Sequence, residues 1–230
     1  EKRSHEYRGS LVNLIPGTQY EIKLKLANTG TSTILTQKTL SEDFKIKSTK
    51  TLKPGTFSEP LKIKTGGSAS EGYVLYTGSG KEHVIDVQKL RDYCVKIDAS
   101  YVILRGLTLR GAHKHGIVLG DVNHVVIENC DVSDWGSKVE SGKWEGFGRN
   151  FQSAVYSNSK ELSHIIIQRN KLHHPSTDAN SWDEPEGTWT HPRGAQGISF
   201  IGSRGRHIIR YNEIYSDKQH KFNDGMGEWD

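Results

Sequence analysis

The sequence predicts an all-β protein: a right-handed parallel β-helix, wound as a single-stranded solenoid, that follows a small β-sandwich-like segment. Short strand patterns recur at the spacing of one solenoid turn, no helical period accompanies them, and only 33% of the 230 residues are hydrophobic. Each turn of a solenoid buries a narrow strip of side chains, so a low apolar content fits. The predicted domains are residues 1–50 and residues 51–230, and the solenoid is predicted to continue beyond residue 230.

The clearest repeat is a six-residue strand pattern with apolar residues at its first and last places. Four copies align without gaps, at residues 104–109, 127–132, 167–172 and 209–214. The step from 104 to 127 is 23 residues, close to one β-helix turn, and the next two steps of 40 and 42 residues each contain an insertion. Asn170 and Asn212 share the fourth place of the pattern, where stacked Asn side chains can bond to one another and to the turn backbone.

A second pattern sets an apolar row beside a row of small residues. The apolar row is Val95, Ile117, Val155, Ile198 and Met226, and the small row is Cys94, Gly116, Ala154, Gly197 and Gly225. Because successive strand residues point to opposite faces, the small row is predicted to face outward and form a smooth groove for a flat sugar chain. The alternative is that small residues fit a tight bend before each strand. The two cysteines, Cys94 and Cys130, fall on different strands, which favours two buried reduced thiols over a disulfide.

The N-terminal segment has a turn at Pro16-Gly17, followed by strand-like alternation from Tyr20 to Leu26. The run Leu14-Ile15-Pro16-Gly17-Thr18-Gln19-Tyr20 resembles the late strands of fibronectin type III modules. That resemblance implies that the Tyr20 hydroxyl bonds back to the preceding turn. The alternative is a generic β-rich cap on the solenoid. Under either interpretation this segment is a spacer or a cap.

Charge and hydropathy argue against two classes of partner. The chain has 31 Lys and Arg against 27 Asp and Glu, a formal charge of +4, and these charges are interspersed. A nucleic-acid binder would carry a clustered basic stripe. No run of 18 apolar residues occurs, so no membrane span is predicted.

The two insertions, at residues 133–152 and 173–196, are predicted to leave the same corner of successive turns. Long loops at one edge of a rigid scaffold commonly carry function. Their tryptophans could stack on sugars, or could pack the loops into a small satellite core. The predicted substrate-binding residues are Trp135, Trp144, Arg149, Tyr156, Trp182, Trp189 and Gln196.

Two reaction chemistries compete for the same substrate class. Glycoside hydrolysis needs a pair of carboxyl groups, which Asp224, Glu228 and Asp230 could supply. Elimination from a uronate needs a base and a charge neutraliser, which His191 and Arg193 could supply. No metal ligand set is predicted, since the neighbouring His173 and His174 should point opposite ways on a strand, although acidic clusters could hold Ca²⁺.

The turn pattern at residues 54–63, together with the later repeats, resembles the pectate-lyase-like β-helix superfamily, which includes polysaccharide lyases and glycoside hydrolases. The run Asn223-Asp224-Gly225 is similar to a hydrolase motif of that superfamily but lacks its spacer residue, and no Asp-Asp pair is present. No catalytic residue is therefore transferred from the family.

The resemblance implies a secreted, periplasmic or cell-surface enzyme that cleaves glycosidic bonds of an extracellular polysaccharide, with hydrolysis favoured over elimination. A non-catalytic polysaccharide-binding or adhesion β-helix is the alternative from a different functional class. The protein is expected to be a monomer, or to contact a further C-terminal part of its own chain.

Overall fold

The computed structural model describes residues 10–137, 152–176 and 195–217. Within them the protein is all-β and most of its strands pair in parallel, which confirms the predicted class. Across these three ranges no helix is long and apolar enough to span a membrane. The chain divides into two compact units, Glu1–Lys45 and Ile46–Asp230.

The first unit contains an antiparallel hairpin of β1 (Gln19–Lys25) and β2 (Ser32–Lys38). Ahead of β1, the Ile15 amide donates a hydrogen bond of 2.8 Å to the Tyr20 hydroxyl oxygen. This is the contact back to the turn that the sequence predicted for Tyr20. Apolar side chains of the hairpin, such as Leu24, are exposed, so cross-strand pairing and this turn contact hold the segment more than a core does.

The second unit contains fifteen described strands: β3 (Ile46–Thr51), β4 (Gly55–Phe57), β5 (Leu61–Ile63), β6 (Tyr73–Asp86), β7 (Tyr93–Ile97), β8 (Val102–Arg110), β9 (His115–Leu119), β10 (Asn123–Glu128), β11 (Asp131–Ser133), β12 (Ser153–Ser157), β13 (Ser163–Gln168), β14 (Lys171–His173), β15 (Gln196–Phe200), β16 (Ile208–Arg210) and β17 (Glu213–Tyr215). They form three parallel ladders. Ladder A is β5-β7-β9-β12-β15. Ladder B joins β3, the first half of β6, the first half of β8, β10, β13 and β16. Ladder C joins β4, the second halves of β6 and β8, β11, β14 and β17.

From β7 onward the chain visits ladders A, B and C in a constant order, once per repeat. The strand register is the one that the gapless alignment predicted, because Ile127 pairs with Ile167 and Ile167 pairs with Ile209. Side chains from all three ladders belong to one hydrophobic cluster. In the last described repeat the equivalent residues are more open, and Ile209 is 52% exposed.

The chain turns at corners where residues with side chains adopt positive φ. Equivalent positions recur in successive repeats: Tyr101, His124, His164 and Arg206 ahead of ladder B, and Gly106, Asn129, Arg169 and Tyr211 between ladders B and C. The rings of Tyr101, His124 and His164 stack with centroids 4.5 Å apart. The sequence placed His207 with His124 and His164, but Arg206 occupies that position.

The predicted Asn stack is present between ladders B and C. Asn170 Oδ1 accepts a hydrogen bond from the Cys130 amide, and Asn170 Nδ2 donates to Ile127 O and to Asn212 Oδ1, at 2.9–3.0 Å. Cys130 and Cys94 are buried free thiols, as predicted. Burial raises the pKa of each thiol to about 12, so both stay protonated at physiological pH.

Candidate functional site

The residues that flank the two insertions meet at one corner, between ladders C and A. The Ser176 amide donates to Trp135 O at 2.8 Å, and the Gln196 amide donates to Gln152 O at 2.7 Å. The Ser137 amide donates to Gln152 Oε1 at 2.8 Å, which ties the two ends of the first insertion together. The prediction that both insertions leave the same corner is therefore confirmed.

Trp135 lies inside this corner and its side chain is fully buried in the hydrophobic cluster. It was expected to stack on sugar, but a ring with no solvent-exposed face is not available to a ligand. Packing of the loop explains it instead. Of the other predicted site residues, Tyr156 and Gln196 lie on ladder A, and nine fall outside the described residues: Trp144, Arg149, Trp182, Trp189, His191, Arg193, Asp224, Glu228 and Asp230.

The small-residue row does not form an outer groove. Cys94 and Ala154 are fully buried, and a Cβ on Gly116 would lie 2.5 Å from Val132 Cγ1 in the core. Each of these strands begins at a bend, so that Gly116 and the following Ile117 are both buried rather than alternating. The outward prediction for the described part of this row is wrong, and the alternative of a tight bend explains the small side chains.

The outer face of ladder A instead carries larger, polar side chains. Its central row, in register across the ladder, is Lys62, Lys96, Val118, Tyr156 and Ser199. Lys96 Nζ lies 3.2 Å from Asp98 Oδ2. The edge nearest the insertion corner carries Tyr93 opposite His115, and Ser153 opposite Gln196. The predicted alignment of His115, Ser153 and Gln196 along one edge is thus present, while Asp224, predicted to join it, lies outside the described residues.

His115 and Tyr156 form the most defined feature of this face. Their rings stack with centroids 3.9 Å apart and planes 14° from parallel. Burial lowers the pKa of His115 to about 4, so the ring is neutral at physiological pH. The Ser153 amide donates to His115 Nδ1 at 3.2 Å, which leaves the proton on Nε2. Nε2 has no partner within the described part of the chain, and is therefore a free hydrogen-bond donor beside an aromatic ring.

A second polar cluster lies at the outer edge of ladder C, where β14 ends. His173 Nε2 is 2.9 Å from Asp131 Oδ1, and His173 Nδ1 is 2.7 Å from His174 Nδ1. His174 Nε2 is 3.6 Å from Asp217 Oδ2, and the Tyr215 ring stacks on His173 at 5.0 Å. The sequence prediction kept the two imidazoles apart. They meet because His174 lies just past the strand, at φ 46°, where strand alternation no longer applies.

Neither cluster has the composition of a metal site. Within the described ranges, no three His, Cys, Asp or Glu side chains are arranged to hold a metal ion. Comparisons of the chain with protein-family models, curated proteins and solved structures gave no match. The functional argument therefore depends on the geometry of the two clusters and of the corner between them.

Proposed function

We propose that the second unit is a right-handed parallel β-helix of the pectate-lyase-like type, and that the protein is an extracellular enzyme that cleaves glycosidic bonds of a polysaccharide. The constant order in which the chain visits ladders A, B and C supports the fold. So does the single hydrophobic cluster to which all three ladders contribute. Such solenoids offer long, regular faces to extended polymers.

The stacked pair of His115 and Tyr156 is the observation that carries this proposal. It puts an aromatic ring and a fixed, neutral hydrogen-bond donor side by side on ladder A, next to the insertion corner. A sugar presents an apolar ring face and hydroxyl oxygens, and these two groups match both features. The polymer would lie along the outer row of ladder A, with the insertions beside it.

Hydrolysis is the reaction we propose, with the carboxyl pair supplied by Asp224 and Glu228 or by a carboxylate of the insertions. Elimination from a uronate polymer is the second candidate, and Lys62 and Lys96 favour it. These lysines are adjacent in register on the proposed binding face, where they could neutralise a uronate carboxylate.

Incubation of the full chain with xylan, polygalacturonate and alginate tests the proposal. Hydrolysis releases new reducing ends without unsaturated products, whereas elimination adds an absorbance at about 235 nm. Binding to one polymer without any cleavage would support the non-catalytic alternative. If the protein neither binds nor cleaves any polysaccharide of a broad panel, the proposed function is wrong.

Tyr156→Ala probes the proposed binding face directly. Loss of an aromatic stacking partner costs about 0.5–1.5 kcal/mol, so we expect the dissociation constant to rise about 2- to 12-fold. Tyr211→Ala is the matched control, since Tyr211 is also an accessible tyrosine, but lies at a corner between ladders B and C. Affinity electrophoresis in polysaccharide-containing gels measures both variants. An equal loss of affinity in the two would exclude ladder A as the binding face.

A further inference from the structure

The cluster at the end of ladder C is a continuous chain of ionisable groups. It runs from Asp131 through His173 and His174 to Asp217, with contacts of 2.9, 2.7 and 3.6 Å. The side chain of His173 is 17% exposed and that of His174 is 35% exposed. Three successive repeats contribute to it, because Asp131 begins β11, His173 ends β14, and Tyr215 of β17 stacks on His173.

The hydrogen bonds determine where the protons lie. An ionised carboxylate only accepts, so His173 must carry a proton on Nε2, facing Asp131. In the neutral ring His173 Nδ1 is then a bare acceptor. The contact of 2.7 Å between the two Nδ1 atoms needs one donor, and that donor must be His174 Nδ1–H. His174 Nε2 is consequently left with a lone pair.

We propose that His174 Nε2 is a general base that Asp131 and His173 hold in its proton-accepting state. It takes a proton from a water molecule or a sugar hydroxyl: the O–H bond breaks and an N–H bond forms on Nε2. The resulting positive charge lies beside the Asp217 carboxylate. It is also shared with His173 through the Nδ1–Nδ1 hydrogen bond, and His173 faces Asp131. Asp131 and His173 are positioning residues in this scheme.

The location of the cluster agrees with a role in polysaccharide cleavage, and that part of the inference rests on the proposed function. His174 precedes Ser176 by two residues, and Ser176 bonds to Trp135 at the insertion corner. The edge of ladder A that carries Gln196 lies on the other side of the same corner. A ligand held by the insertions would therefore have both clusters as neighbours.

A purely structural cluster would also explain the short contacts, so the test must observe the protons. Imidazole ¹⁵N chemical shifts of the full chain, labelled at histidine, distinguish a protonated nitrogen from a bare one. We expect protons on His173 Nε2 and His174 Nδ1, and a lone pair on His174 Nε2. In Asp131→Ala, which removes only the acceptor at the far end, both rings should become mixtures of tautomers. A protonated Nε2 on neutral His174, or tautomers unchanged in Asp131→Ala, would overturn the proposal.

Kinetics on the polysaccharide that the protein cleaves provide the second test. His174→Gln should lower kcat about 100-fold or more with little change in KM, as expected for the loss of a general base. Asp131→Ala should lower kcat less and change its pH profile, which a structural residue would not do. His113→Gln, at an exposed histidine, is the control and should keep full activity. Unchanged kcat in His174→Gln would exclude a catalytic role.

Failure of this inference is distinguishable from failure of the proposed function. If no polysaccharide is cleaved, the proposed enzyme activity is wrong, but the ¹⁵N shifts still decide whether His174 Nε2 is held as a proton acceptor. If cleavage is observed and the tautomers are reversed, the proposed function stands and the general base lies elsewhere.

Discussion

At the scale of single residues, His115 links the candidate site to pH. Burial is the main cause that lowers its pKa from 6.5 to about 4, with a smaller contribution from the charge of Lys114. Between these values the unfolded chain binds a proton at this position that the folded protein does not bind. Stability therefore rises with pH through this window and falls as the pH is lowered toward 4.

We expect the wild-type protein to lose more stability than His115→Gln when the pH falls from about 7 to about 4.5, by on the order of 2 kcal/mol. Urea unfolding of both proteins at the two pH values measures this difference. His113→Gln, at an exposed histidine, should follow the wild type. If His115→Gln loses as much stability as the wild type over this range, then the ring of His115 is not held neutral by burial.

Residue patterns predicted some of these side chains and missed others for a definable reason. The Tyr20 contact and the Asn170 stack were predictable, because each depends on a side chain at a fixed place in a regular strand or turn. His174 and Gly116 were not, because both lie where strand alternation breaks down. His174 has positive φ without being glycine, so no glycine signals the corner in the sequence.

At the scale of the strand, a hydrogen-bonded polar ladder crosses the outer face of ladder B. Arg105 Nε donates to Glu128 Oε1, and Gln168 Nε2 donates to Glu128 Oε2, each at 2.6 Å. Arg210 Nε donates to Gln168 Oε1 at 2.9 Å. Glu128 thus accepts from a neighbouring strand on each side, and its side chain is only 7% exposed. The ladder satisfies four strands' polar groups where burial would otherwise destabilise them.

Glu128→Gln should lower the free energy of unfolding by about 1.5–3 kcal/mol. The amide keeps one acceptor oxygen, but its NH₂ group must face a donor, either from Arg105 or from Gln168. Glu161→Gln is the matched control, because Glu161 pairs with Arg204 at the surface, where the two side chains are 54% and 65% exposed. Its effect should stay within about 0.5 kcal/mol. Equal losses in urea unfolding would mean that the ladder does not depend on the carboxylate.

At the scale of the whole molecule, the strand register was predictable and the corners were not. Apolar residues at the first and last places of each copy set the alignment, because a slip by one residue would turn the buried face outward. The pairing of Ile127 with Leu104 and with Ile167 follows that alignment. What the outer faces carry depends on how the corners aim the side chains, which the alternation of strand residues does not determine.

The repeats should differ in local stability according to how completely their inward residues are buried. Ile127 and Ile167 are fully buried, whereas Ile209 and Ile214 are 52% and 49% exposed. In a stacked repeat structure each repeat is stabilised mainly by its neighbours, so opening the last described repeat costs less free energy than opening a central one.

Hydrogen–deuterium exchange followed by mass spectrometry measures this difference. We expect the slowest exchange in β10 and β13, faster exchange in β16 and β17, and the fastest in β1 and β2, where apolar side chains are exposed. Because Glu1–Lys45 is a separate compact unit, its exchange is an internal reference that a change in the ladders should leave unaffected. Equal protection of β10, β13 and β16 would show that the ladders open as one cooperative unit, contrary to the dependence on burial argued here.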